Sequence, residues 1–241
     1  MQDTMLLANN LITGIGSGLG QYLYENMPNT VGMNRKNFEK RLKGEYNTIV
    51  HCAFNTNSEN IEQFLYDNVI LTRKLCDTLH KKYIYISSID VYQNRHNEYN
   101  TAKKMAEIMV QKYSKNYLII RCSAILGETM RENSFLKIYR YMNPDLTLHA
   151  NSTFNYVLQD DIMGFVADSI ERDHTGIVDF VSSTNMRLFD VNHMLNNNAN
   201  FGKFKYRTPS IDNSKLIELY PGAEKTSEQA VSEYIKKYGD L

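Results

Sequence analysis

The chain has 241 residues, 42% of them hydrophobic, which suits one large domain or one domain with a small lobe. Lys and Arg number 27 against 27 Asp and Glu, so no net charge steers it toward nucleic acid or an anionic membrane. No apolar run approaches the roughly 18 residues of a membrane span, and MQDTMLLANN lacks the regions of a signal peptide.

The three cysteines, Cys52, Cys76 and Cys122, are far apart and read as small buried apolar residues. The six histidines show no metal-ligand spacing, so no metal site is expected. Cysteine usage points to a reduced, cytoplasmic compartment.

Asn10 to Thr13 reads as a short strand that runs into Gly14-Ile15-Gly16-Ser17-Gly18-Leu19-Gly20. A helix follows, with Leu19, Tyr22, Leu23 and Met27 on one face, ended by Pro28. Four glycines in seven residues at a first strand-to-helix junction favour a dinucleotide cradle over an ordinary turn. The glycines let backbone approach a pyrophosphate, and the helix N-terminus supplies unpaired N–H groups. Thr30 to Met33 is a second strand, ending at Asn34-Arg35-Lys36. An acid there would hold the ribose of NAD, whereas Arg35 suits the extra phosphate of NADP, so NADP is preferred over NAD. A solvated basic turn is the other reading. Phe38 to Lys43 is a short helix, and Thr48 to Phe54, TIVHCAF, a buried strand. Thr56 with Glu59 forms a capping box that opens a helix to about Lys81, with Ile61, Phe64, Leu65, Thr72, Leu75, Cys76 and Leu79 inward. Asn68 interrupts that face. It is either partnered structurally or aimed at a ligand.

Residues 83 to 107 form the centre of the chain. Tyr83 to Ile86 is a strand that stops at Ser87-Ser88, and Gln93 to Glu98 is a polar loop. A helix follows, with Ala102, Met105, Ala106, Met109, Val110 and Tyr113 on its apolar face. Tyr99 and Lys103, four apart, are neighbours at the edge of that face. A free phenol titrates near about 10, and a nearby ammonium lowers that. Ser88, Tyr99 and Lys103 therefore form a candidate acid/base group, in which Ser88 holds an oxygen and Tyr99 moves its proton.

Tyr117 to Arg121 is another strand. Alternating strands and helices to this point predict an α/β doubly wound parallel sheet over 1–127, with a small C-terminal α/β lobe over 128–241. Beyond Gly127, helices are expected at Ser134–Met142, from Asp160 or Asp161 to Arg172, and at Phe189–Asn196. Strands are expected at Leu146–Ala150 and Ile177–Val181. A second capping box, Thr226 with Gln229, opens a last helix with Ala230, Val231, Tyr234, Ile235 and Tyr238 inward.

Assembled, these residues resemble the extended branch of the short-chain dehydrogenase/reductase superfamily, the NAD(P)-dependent nucleotide-sugar epimerases, dehydratases and reductases. TGIGSGLG at 13–20 resembles the glycine loop, with Ser17 where extended members usually carry glycine. VHCAF at 50–54 resembles the strand beneath the adenosine, and Asn68-Val69 with Thr72 the helix with a buried asparagine. SSIDVY at 87–92 resembles the catalytic serine strand, and Tyr99, Lys103 and Glu107 the tyrosine-lysine helix. YVLQDDI at 156–162, Arg207 with Asp212 to Leu216, and Asn133 resemble the substrate-lobe segments.

The resemblance implies a Rossmann-like fold with a substrate lobe. It implies NAD(P) against Gly14, Ile15, Gly16, Ser17, Gly18, Leu19, Gly20, Asn34, Arg35, Cys52, Ala53, Phe54, Asn68 and Lys103. A nucleotide sugar would lie on Ser88, with Asn133 and Arg207 at its diphosphate. It also implies a homodimer through the helix carrying Tyr99 and its neighbour. Dehydratases carry an Asp-Glu pair where this chain has Ile89-Asp90, which leaves epimerase and 4-ketoreductase at parity. A reductase of a non-nucleotide carbonyl compound and a non-catalytic dinucleotide-binding protein are the alternatives. Two departures stand out. Eleven positions separate Ser88 from Tyr99, about half the usual spacing of the extended branch, and residues 30–54 are short for two strands and two helices, so a strand or crossover there is trimmed.

Overall fold

A computed structural model describes residues 9–93 and 97–239. The amino-terminal segment and residues 94–96 of the expected 93–98 loop lie outside the described residues. The chain divides into two units, Met1–Arg121 with Met163–Val178, and Cys122–Ile162 with Asp179–Leu241.

In the first unit, β1 (Asn10–Thr13), α1 (Gly18–Asn26) and β2 (Thr30–Met33) fall where apolar patterning puts them. A four-residue α2 (Phe38–Arg41) leads to β3 (Glu45–His51). The crossover is thus trimmed to one turn. The TIVHCAF strand starts earlier and ends sooner than expected, because the Cys52 and Ala53 amides leave the ladder for the Thr13 hydroxyl, at 3.1 and 3.0 Å.

The helix expected from Thr56 to Lys81 is shorter and interrupted. Asn60, not Thr56, caps α3 (Ile61–Leu65), its side chain accepting from the Gln63 amide. A π-helical turn over Tyr66–Ile70 follows, then α4 (Leu71–Asp77). Extended Thr78 ends that helix, so Leu79 to Lys81 belong to β4 (Leu79–Ser88). β4 carries Lys82 inward, its ammonium 2.8 Å from Asp173 and 2.7 Å from the His174 carbonyl. A 3-10 turn over Ile89–Tyr92, α5 (Glu98–Tyr113) and β5 (Tyr117–Cys122) come next. On α5, Ala102, Ala106 and Val110 are buried, but Met105 and Tyr113 are exposed, contrary to the expected apolar face.

The second unit holds β6 (Ala124–Leu126), α6 (Ser134–Arg140), β7 (Thr153–Phe154) and β8 (Tyr156–Leu158). Between the units' boundaries run α7 (Gln159–Glu171) and β9 (Gly176–Phe180). β10 (Met186–Arg187), α8 (Leu188–Met194), α9 (Ser214–Leu219) and α10 (Ser227–Tyr238) complete the chain. The strand expected at Leu146–Ala150 is an isolated bridge between Leu148 and Phe204. The second capping box forms with both bonds, Gln229 amide to Thr226 Oγ1 at 3.1 Å and Thr226 amide to Gln229 Oε1 at 2.8 Å. Phe135, Tyr156, Leu188, Val231 and Tyr234 build this unit's core.

The six-stranded sheet runs β2-β1-β3-β4-β5-β9. β1 pairs in parallel with both β2 and β3, and β3 with β4. Parallel strands covered on both faces need continuous apolar runs, which Leu11-Ile12, Ile49-Val50 and Tyr83 to Ile86 supply. The chain leaves β1 toward β2 and then returns past it to β3. That reversal makes the carboxyl ends of β1 and β3 a topological switch point, where such sheets bind ligands.

Candidate functional site

The glycine turn occupies this switch point. Gly14 has φ +74°, and a Cβ there would meet the Ala53 amide at 2.8 Å, so β1 and β3 approach as closely as backbone allows. A Cβ on Gly20 would meet the Gly14 carbonyl at 2.5 Å, which seats α1 directly on the turn. Gly16 and Gly18 face open space, with nothing within 4 Å of a Cβ built on either. Two glycines are thus required by internal packing, and two leave room for an outside group. Ser17 is the extended N-cap of α1, whose first turn holds no acid. Leu19 is buried, and Ile15 lies over Gly32. This geometry fits a pyrophosphate on main-chain N–H groups.

A buried hydrogen-bond chain underlies the turn. Thr13 Oγ1 accepts from the Cys52 and Ala53 amides, so its own proton goes to His51 Nδ1, 2.7 Å away. His51 therefore carries its proton on Nε2 and donates to Thr72 Oγ1 at 2.9 Å. Thr72 in turn donates to the Asn68 carbonyl at 2.8 Å. Burial, with Lys103 adding to it, pushes His51 down to about 3, which keeps the ring neutral. The same burial pushes the Cys52 thiol up to about 12. The Asn68 amide is taken up structurally. Its Oδ1 accepts from the Asn55 amide at 2.7 Å and its Nδ2 donates to the Asn55 carbonyl at 2.9 Å, which shapes the loop after Phe54.

At the end of β2, Asn34 folds into a turn, its Oδ1 accepting from the Lys36 amide. Arg35 is 83% exposed and its Nη2 lies 3.2 Å from Asp67, which also accepts from Asn55 and Gln63.

Lys103 is buried on α5 and donates to the Ile86 carbonyl at 2.9 Å, two residues before Ser88. Its ammonium lies 4.4 Å from the Phe54 ring centre and 5.0 Å from that of Tyr85. Phe54 also meets Tyr99 edge to face, 4.9 Å between centroids. Phe54 thus joins the two α5 residues, while Lys103 is tied to the strand that ends in Ser88. The Ser88 hydroxyl accepts from the Asp90 amide at 3.2 Å and starts the 3-10 turn. Buried Ile89 follows it.

Asn133 caps α6 in the second unit, accepting from the Leu136 amide at 2.9 Å. Arg207, in the same unit, is exposed and bridges to Thr153. Thr13 and His51 lie inside TGIGSGLG and VHCAF without standing out there, and Asp67 lies in no motif. The sequence signal of Thr13 and His51 is a polar residue inside or beside a buried apolar run.

The sequence model of the NAD dependent epimerase/dehydratase family matches residues 11–142, more than half of the chain. No curated protein sequence matches it. Among solved structures, dTDP-4-dehydrorhamnose reductase from Bacillus anthracis, in complex with NADP, is 17% identical with a TM-score of 0.78, over 96% of this chain and 99% of that one. UDP-glucuronic acid 4-epimerase from Bacillus cereus, with UDP-glucuronic acid and NAD, is 17% identical with a TM-score of 0.74, over 95% and 99%. dTDP-glucose 4,6-dehydratase from B. anthracis, with NAD, is 15% identical with a TM-score of 0.76, over 97% of each chain. At such identities the likeness establishes the fold, a Rossmann-type parallel sheet. With the sequence match, it establishes that the chain belongs to the NAD-dependent epimerase/dehydratase family, enzymes of the short-chain dehydrogenase/reductase type.

Proposed function

We propose that this protein binds NADP or NAD, NADP the better, and acts on a nucleotide sugar through Ser88, Tyr99 and Lys103 as an epimerase or 4-ketoreductase. One observation carries the reading. Lys103 is buried, tied to the Ile86 carbonyl and shares Phe54 with Tyr99, beside the strand that ends in Ser88. Burying an ammonium is costly, and Lys103 is set at that depth with its Nζ on the Ile86 carbonyl and beside the Phe54 and Tyr85 rings. Relatives of the fold bind the expected molecules: the reductase was solved with NADP and the epimerase with UDP-glucuronic acid and NAD.

The dinucleotide supplies the hydride donor or acceptor. The Ser88 hydroxyl holds the sugar oxygen, and the Tyr99 phenol passes a proton to or from it. The Lys103 ammonium favours the phenolate and holds a ribose hydroxyl. The open side of Gly16 and Gly18 receives the pyrophosphate. Elimination of water has no acid to serve it at Ile89, which is apolar and 3% exposed.

The test uses the full chain with a panel of UDP- and dTDP-hexoses and their 4-keto forms, reading nicotinamide absorbance and product isomers. Tyr99→Phe is expected to lower kcat by roughly 100- to 10,000-fold while dinucleotide affinity holds. Near-parental turnover in that variant would sink the mechanism. Mass spectrometry under native conditions separates the two activities: NAD retained through purification marks an epimerase, and an empty site a reductase.

The same reading includes a homodimer through α3–α4 and α5. Ile61, Leu65 and Ile70 on the first, and Met105 and Ile108 on the second, are large apolar side chains left exposed.

A further inference from the structure

Ser88 lies within a six-residue segment, Ser87 to Tyr92, whose two ends are held by one partly buried ion pair. Glu107 sits on α5, 5% exposed, and faces Arg121 of β5, 16% exposed. Glu107 Oε1 accepts from the Ser87 hydroxyl at 2.6 Å and from Arg121 Nε at 3.0 Å, while Oε2 accepts from Arg121 Nη2 at 2.7 Å. The fork is bidentate, the geometry in which a carboxylate fixes a guanidinium plane. The remaining arm, Arg121 Nη1, donates to the Tyr92 phenol at 2.6 Å, and the guanidinium carbon lies 4.9 Å from that ring's centre.

Desolvating an ion pair offsets much of its attraction, so such a pair is a poor source of net stability. Its geometry points to another use. Tyr99, Lys103 and Glu107 follow one another at four-residue spacing and so lie along one side of α5. Lys103 holds β4 at the Ile86 carbonyl, and Glu107 holds the next residue at the Ser87 hydroxyl. Two consecutive turns of α5 thus grip two consecutive residues of β4, directly before Ser88. On the other side of Ser88, Arg121 anchors Tyr92 at the end of the 3-10 turn.

We infer that the Glu107–Arg121 pair is a positioning device that sets the Ser88 hydroxyl against Tyr99 by holding the segment 87–92 at both ends. It rests on the assignment of Ser88 and Tyr99 to substrate binding and proton transfer. Glu107, Arg121, Ser87 and Tyr92 touch no reacting atom in it. They act through the placement of Ser88.

The variants are Glu107→Gln, which keeps an acceptor for Ser87 but removes the charge from the fork, and Tyr92→Phe, which removes only the phenol contact. Tyr92 is 45% exposed, so its variant folds even where a buried change does not. Arg121→Lys, which keeps the charge and loses the fork, serves as the conservative comparison. A displacement of about 1 Å at a reacting group costs on the order of 100-fold. Glu107→Gln is therefore expected to lower kcat roughly 10- to 100-fold and Tyr92→Phe less, with KM for the dinucleotide within about twofold of the parent. Arg121→Lys is expected to fall between the parent and Glu107→Gln. Amide hydrogen exchange, which needs no substrate, is expected to quicken in 87–92 and stay unchanged in the glycine turn.

Two results would overturn the inference: parental kcat in folded Glu107→Gln and Tyr92→Phe, or faster exchange spread over the whole first unit. Tyr99→Phe, run alongside, separates the two claims. If it is inactive while the clamp variants turn over normally, the clamp fails and the active-site assignment stands. If Tyr99→Phe itself is active, both fall.

Discussion

The guanidinium of Arg35 lies 3.2 Å from Asp67, so the cation proposed to select NADP is already held by a carboxylate. An exposed pair of this kind is worth little by itself. Its importance is competitive, because a 2′-phosphate must draw Arg35 from Asp67 or tolerate that negative charge nearby. Asp67→Asn is therefore expected to raise NADPH affinity, and Arg35→Ala to lower it about tenfold, with NADH affected little by either. Titration of dinucleotide fluorescence measures both, and equal affinity for the two dinucleotides in the parent removes Arg35 from the argument. At this scale the sequence is informative where residue types are rare and ordered, as with the glycines of 14–20 and the pairing of Tyr99 with Lys103. It is silent on Asp67, because nothing in the chain tells an aspartate beside Arg35 in space from any solvated one.

Elements at the switch point are joined by the chain from Thr13 through His51 and Thr72 to Asn68, which links β1, β3, α4 and the π-helical turn. His51 works there only as a neutral ring. The unfolded chain takes up its proton near 6.5, whereas the folded one resists until about 3. The depressed value means that this stabilisation is complete above pH 6.5 and is lost as pH falls toward 3, at about 1.4 kcal/mol per unit. Between pH 6.5 and 5 the parent should lose about 2 kcal/mol from this residue. Urea midpoints across that range, compared with those of His51→Gln, check it, since equal slopes would show that His51 does not titrate on unfolding. Periodicity locates the helix of 61–77 but not its π turn. One extra residue in a turn leaves the apolar spacing nearly intact, so the period gives no sign of the turn, and Ile61 and Leu65, expected inward, are exposed. The same limit applies to α5, where Met105 and Tyr113 follow the apolar period yet face outward.

For the molecule as a whole, the exposed apolar side chains of α3–α4 and α5 are what the proposed pairing would cover. Ile108→Lys combined with Ile70→Lys should shift sedimentation from two chains to one, and a parent that already sediments as one chain removes the dimer from the proposal. The first unit is more legible than the second because its sheet is built from sequential strands of four to ten residues, each with its own apolar run. The second unit relies on two-residue strands and on isolated bridges such as Thr153 to Arg207, more than fifty positions apart. Such pairings leave no local period to read. The trimmed crossover has one more effect. It leads away from β2, an edge of the sheet among the described residues, and an edge is a template on which a foreign strand can add. This rim is four residues long, contains Gly32, and is followed by a turn that carries Arg35 and Lys36. A short edge strand followed at once by charged residues is the arrangement by which sheets limit edge-to-edge pairing, so the turn proposed to choose the dinucleotide also bounds the exposed ladder.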